Sequence, residues 1–197
     1  MTGSRTISRT SDTAPSPVLQ VDCIVVSYPG CSFLINRAQI AGSYYDGYRD
    51  ASKIGKGPLR LIDIDNRIFP LINFDDFIAR CFHIPITKQA EMIIFARGDS
   101  PNAPKLPRIK KKSTEEAIDT GTIAVQLSGK TGLAQVPLKD LRLLPSGLFP
   151  YLSSRGLLGV RFPADGSIEY LIDIQTVIAT NIARTTRKEV CDENHDC

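Results

Sequence analysis

With 197 residues, the chain has room for one ordinary domain or for two small ones sharing a core. Its 42% apolar and 23% charged content exclude a disordered or fibrous protein, and no apolar run reaches the roughly 18 residues that cross a bilayer. A net charge of +3 is small for a dedicated nucleic-acid binder, while two histidines and five scattered cysteines leave little catalytic equipment.

Residues 1–18 are rich in Ser, Thr and Pro, lack the apolar core of a secretory signal, and read as a tail without enough apolar surface to order it. Val21 to Tyr28 is rich in β-branched residues and stops at Pro29-Gly30; Cys31 to Asn36 resumes the apolar run, so the pair reads as a hairpin. Gln39 to Tyr45 continues as a third strand, and the polar segment 46–57 as a loop. Further strands are expected over Glu91 to Arg97, Thr122 to Leu127 and Leu133 to Leu138. Between them, Gly98 to Asp119 carries three prolines and five basic residues and reads as an exposed loop. Residues 184–197 are polar again and read as a second mobile tail, leaving 19–183 as the folded part. The odd, scattered cysteines fit a reducing compartment, hence the cytoplasm.

An internal repeat organises this pattern. Residues 59–79 and 159–179 align without gaps at an offset of 100, so that Asp65 faces Asp165, Ile68 faces Ile168, and Leu71-Ile72 faces Leu171-Ile172. Each copy reads as a strand, an Asp-Asn or Asp-Gly turn tolerant of positive φ, a second strand and a short helix. Phe74, Phe77 and Ile78, matched by Ile174, Val177 and Ile178, have the i, i+3, i+4 spacing of an amphipathic helix. Short strands at regular spacing favour closure into barrels, so the residues predict a mainly β protein of two small barrels, each ending in a helix.

The motifs that suggest chemistry do not carry it. Ser128-Gly129-Lys130-Thr131 looks like the end of a phosphate-binding loop, but its first glycine would fall at Ala124, inside a strand, and a hairpin turn is expected instead. Asp63 and Asp65 fail as a calcium loop because Arg67 and Ile68 occupy a ligand and a glycine position, and the Asp165 segment fails at Arg161 and Pro163. Asp75-Asp76 opens a helix, where acids oppose the dipole, and His83 reads as a loop histidine. Cys191, His195 and Cys197 match no common zinc spacing. No catalytic, cofactor or metal residue is assigned. Lys105, Arg108, Lys110, Lys111 and Lys112 form the strongest basic cluster, without the interleaved aromatics that base stacking needs.

From about residue 20 to 183 the sequence resembles the CheW-like family, the coupling adaptors of bacterial chemosensory arrays. Asp63 to Phe74 occupies the stretch that family members write as Asn-Leu-Arg-Gly, apolar residues, Pro, apolar residues, Asp-Leu and a helix. Gly159-Val160, Asp165-Gly166 and Leu171-Ile172-Asp173-Ile174 look like the family's ending, and Cys23 to Ile40 like its opening hairpin. The resemblance implies two intertwined five-stranded SH3-like barrels sharing a core, in a non-catalytic scaffold that couples a chemotaxis-type histidine kinase to the cytoplasmic tip of a chemoreceptor. It implies no cofactor and no small-molecule substrate. Partner contacts are expected at Ile40 and at the Asp65–Asn66 turn. At Asp65 the family has an arginine, so the charge is reversed, which weighs against receptor contact of the usual kind. The alternative from a different class is a β-barrel nucleic-acid binder centred on the basic 105–112 loop.

Overall fold

The computed structural model describes residues 19–45, 48–51, 55–56, 59–84, 92–97, 110–111 and 122–194, with 55–56, 110–111 and 186–194 described as backbone. β1 (Gln20–Tyr28) and β2 (Cys31–Asn36) form the expected hairpin, Tyr28 opposite Cys31, closed by Pro29 and by Gly30 at φ +86°. A 3-10 turn (Arg37–Gln39) leads into β3 (Ile40–Tyr44), then β4 (Arg49–Asp50), β5 (Gly55–Lys56), β6 (Arg60–Ile64), β7 (Arg67–Asn73) and α1 (Phe74–Phe82). β8 (Met92–Ala96), β9 (Lys110–Lys111) and β10 (Ile123–Leu127) follow. β11 (Lys130–Pro137), a 3-10 turn (Leu138–Asp140), β12 (Arg142–Leu143), α2 (Phe149–Ser153), β13 (Leu157–Arg161), β14 (Glu169–Ile172) and α3 (Ile174–Asn194) complete the order.

The strands form two six-stranded sheets, ordered β11-β1-β2-β14-β13-β12 and β3-β8-β10-β7-β6-β4, with β5 and β9 as a separate two-stranded ladder. In each sheet the sixth member is a two-residue edge strand, β12 or β4, beside the five expected from the resemblance. The first sheet unites both ends of the described chain, because β2 pairs in parallel with β14, Ile35 opposite Ile172. The second holds the middle of the chain, where β7 pairs in parallel with β10, Leu71 opposite Ala124. The chain crosses between sheets at the Arg37–Gln39 turn and again at Ser128–Gly129.

That second crossing corrects the hairpin expected at Ser128–Thr131. β10 pairs with β7 and β8, whereas β11 pairs with β1, so the residues between them change sheets. Glycine is required there for space: a Cβ on Gly129 would lie 2.7 Å from the Ser27 carbonyl oxygen.

The strands are apolar on both faces, and the alternation sorts their side chains into separate cores. Phe33 and Ile35 of β2 enter a core shared by both sheets and both long helices, where Phe74, Phe77, Ile78, Ile174, Val177 and Ile178 meet. Leu34, between them, packs instead with Cys23 and Val136 inside the first sheet. Likewise Val125 of β10 joins the shared core, while Ala124 packs with Ile62, Phe69 and Ile93 inside the second. The shared core is what binds the two halves into one unit.

Two details of the repeat differ from expectation. Asp65 and Asn66 take φ of +52° and +61°, as a two-residue primed turn demands, but the second copy opens into a loop over 162–168 in which only Gly166 has positive φ, at +79°. Pro163 has no N–H to extend the ladder, and its carbonyl instead accepts from Gly166 N. Helix α3 also continues through Asn194, so residues 184–194, read from composition as tail, have helical backbone. Once its first turns are anchored in the core, extension costs little per residue.

Candidate functional site

Between the two sheets lies an open groove of about 730 Å3. One wall is the start of β1, with Asp22 and Ile24, joined by Leu133 of β11; the other is β3, and Arg37 and Ala38 of the 3-10 turn close one end. Tyr45 and Leu133 stand on its borders at 68% and 73% exposure, which makes them available to a partner. Arg37 and Arg97 supply positive charge and Asp22 negative.

A polar clasp next to the groove ties the sheets together. Asp173 caps α3: its Oδ1 accepts from Gln175 N at 3.1 Å and its Oδ2 from Thr176 Oγ1 at 2.7 Å. The same Oδ1 accepts from Gln39 Nε2 at 2.7 Å, at the corner where the chain leaves the first sheet. Gln39 Oε1 in turn accepts from Ile174 N, and Gln175, 3% exposed, donates to the Arg97 carbonyl at 2.8 Å. Arg97 Nε reaches back to the Ile40 carbonyl at 3.3 Å.

A related knot forms at the other helix. Asn73 Oδ1 caps α1 by accepting from Asp75 N at 2.9 Å. Asp75 is buried and accepts from Tyr28 Oη at 2.5 Å and from Ser128 N at 3.4 Å, so it bridges β1 and the second crossing rather than merely facing the helix dipole. Burial first, and then the bond to Asp75, drive the Tyr28 phenol well above its ordinary range. The helices are themselves joined by Arg80 Nη2 donating to Asn181 Oδ1 at 2.6 Å.

The residues expected at a partner surface are placed differently from one another. Ile40 is 8% exposed, belongs to the shared core, and contributes only a margin to the groove. Asp65 and Asn66 are exposed on the far side of β3, beside a smaller hollow of about 270 Å3 that Tyr44, Arg49 and Asp63 also line. Arg67 does not substitute for a basic group at Asp65; its guanidinium lies over the Phe69 ring, 5.2 Å from the centroid. Lys105, Arg108 and Lys112 lie outside the described residues. Lys110 and Lys111 are described as backbone, paired with Lys56 and Gly55, so the two polar loops of the sequence meet in one short ladder. His195 and Cys197 are also outside the described residues, and among those described no group of three His, Cys, Asp or Glu is placed to hold a metal.

Gln39, Arg97, Asp173 and Gln175 escaped sequence reasoning. The signal was present in the repeat: at the same offset of 100, Asn73 faces Asp173 and Asp75 faces Gln175, each copy a cap followed by a buried polar residue.

No family model and no curated protein sequence matches the chain. Among solved structures it is similar to the scaffolding protein TtCheW from Thermoanaerobacter tengcongensis, with a TM-score of 0.50 and 10% identity over 81% of this chain and 92% of that one. The fold is CheW-like. At 10% identity the agreement is one of backbone architecture, and the CheW-like fold here is carried by the two sheets, the capped helices and the shared core. No helix among the described residues is long and apolar enough to cross a membrane.

Proposed function

We propose that the chain is a non-catalytic adaptor of a bacterial chemosensory signalling system, working in the cytoplasm and coupling a chemotaxis-type histidine kinase to receptors or related partners. The observation that carries this reading is the groove between the sheets of a CheW-like fold, bordered by exposed Tyr45 and Leu133. Its mixed apolar and charged lining suits a protein segment, which gains buried apolar area at the centre and polar contacts at the margins. The similarity in fold to a scaffolding protein supports the same reading.

Asp65 presents a carboxylate on an exposed turn, which accepts hydrogen bonds and repels an acidic surface. Weak binding to a conventional receptor tip is therefore expected, improved by Asp65→Arg once the variant is shown to be folded, since arginine is less at ease at φ +52°. Unchanged affinity would remove the turn from the interface. The adaptor reading as a whole is tested by co-purification of the full chain with the regulatory domains of histidine kinases from its source. Capture that Tyr45→Ala weakens supports it; failure with every such kinase sinks it.

A further inference from the structure

The four edges of the two sheets are not equally protected. β4 and β12 are only two residues long, and β3 has a register shift between Ile40 and Gly42; shortness and bulges are ways in which proteins blunt an edge. β11 is eight residues long, pairs with β1 in unbroken register from Lys130 to Pro137, and has no strand on its other side among the described residues. Its central leucine, Leu133, is 73% exposed.

The phase of the ladder shows which groups are open. Leu138 N–H donates to the Leu19 carbonyl, and in an antiparallel pair the bonded positions alternate, so 136, 134, 132 and 130 also face β1. Thr131, Leu133 and Gln135 therefore point their N–H and C=O groups outward. Pro137 ends the row because it has no donor.

This row is self-complementary. Two copies placed antiparallel about a two-fold axis at Leu133 set Thr131 against Gln135 of the second copy, and Leu133 against its own equivalent. Every outward N–H then meets a carbonyl. Lys130 falls opposite Val136 of the second copy, so no like charges confront each other. We infer that the β11 edge is a homodimer interface, in which the first sheets of two copies join through strand addition and bury Leu133 against Leu133.

The test is self-association of the full chain, followed by analytical ultracentrifugation up to sub-millimolar concentration. The wild type is expected to form a concentration-dependent dimer. Leu133→Lys places two charges at the two-fold axis, and Gln135→Pro deletes an outward N–H without touching the β1 ladder; each is expected to weaken association about tenfold or more. Gln135 does not line the groove, so its variant separates this interface from partner docking there. Circular dichroism and thermal melting confirm that each variant is folded. Exchange of the Thr131, Leu133 and Gln135 amides is expected to slow as the dimer forms. A chain that stays monomeric throughout, a dimer that either folded variant leaves intact, or outward amides that remain unprotected in the dimer would each overturn the proposal.

Discussion

Asp173 is the residue on which the junction of the two sheets most depends, and removing its carboxylate makes a quantitative test. Asp173→Ala deletes the cap of α3, worth about 1 kcal/mol, with a range of roughly 0.5–2. It also deletes the acceptor of Gln39 Nε2, held at 2.7 Å in a partly buried setting. A hydrogen bond to a charged group contributes about 1.5–3 kcal/mol. Because both bonds end on Oδ1 they are not independent, and the expected loss is about 2–4 kcal/mol. Asp173→Asn keeps an oxygen for Gln175 N and Gln39 but loses the charge and replaces the Oδ2 acceptor of Thr176 Oγ1 with a donor, so it is expected to cost about 1 kcal/mol. Urea unfolding followed by circular dichroism measures both, with an unchanged slope showing that the same surface is exposed. A double-mutant cycle with Gln39→Ala isolates the link between sheets, expected at about 1–2 kcal/mol of coupling. A loss below about 0.5 kcal/mol for Asp173→Ala, or equal losses for Ala and Asn, would refute the clasp as a structural junction.

Other consequences follow from the buried groups and the turns. Tyr28→Phe leaves the buried Asp75 carboxylate, among the described residues, with the 3.4 Å bond from Ser128 N, and a destabilisation of about 1.5–3 kcal/mol is expected in the same assay. The Tyr28 phenol is held protonated above its ordinary value of 10.0, so the unfolded chain releases that proton first and wild-type stability falls as pH rises past that value. The fall should be shallower in Tyr28→Phe; identical slopes would exclude Tyr28 as the source. Gly129→Ala is expected to cost about 1–3 kcal/mol because its Cβ meets a backbone oxygen, whereas Gly147→Ala, with nothing within 4 Å, should stay within about 0.5 kcal/mol. Burial, reinforced by Asp22 and Glu169, pushes the Cys23 thiol up to about 11, so a thiol reagent at pH 8 should label the partly exposed Cys81 before Cys23 and reach Cys23 only on unfolding. Early labelling of Cys23 would show that the first sheet opens.

What could be read along the chain was what is encoded locally. Alternating and continuous apolar runs marked most of the strands, Asp65-Asn66 announced a turn that needs positive φ, and the spacing of Phe74, Phe77 and Ile78 marked a helix with one buried face. The 100-residue repeat carried the same information twice: Ile68, Leu71, Ile72 and Ile78 of the first copy and Ile172 and Ile178 of the second are buried, while Ile168 and Leu171 are half-buried. The candidate site was far less legible. Its groove draws on stretches within 20–24, 36–45 and 92–97 and on Leu133, none of which forms a motif, and Ile40, chosen for contact, lines it while lying mostly in the core.

Only the tertiary structure decided which strands are partners. β2, β7, β10 and β14 are apolar on both faces, so no alternation says that β2 will meet β14, about 140 residues later, in parallel. The partners taken by β10 and β11 likewise explain why Ser128–Gly129 is a crossing between sheets, where Asp75 is buried against Tyr28, and why β11 is left, among the described residues, with a long open edge. Local propensity sets the elements; long-range burial of two-faced strands chooses their neighbours, and the groove exists only once that choice has been made.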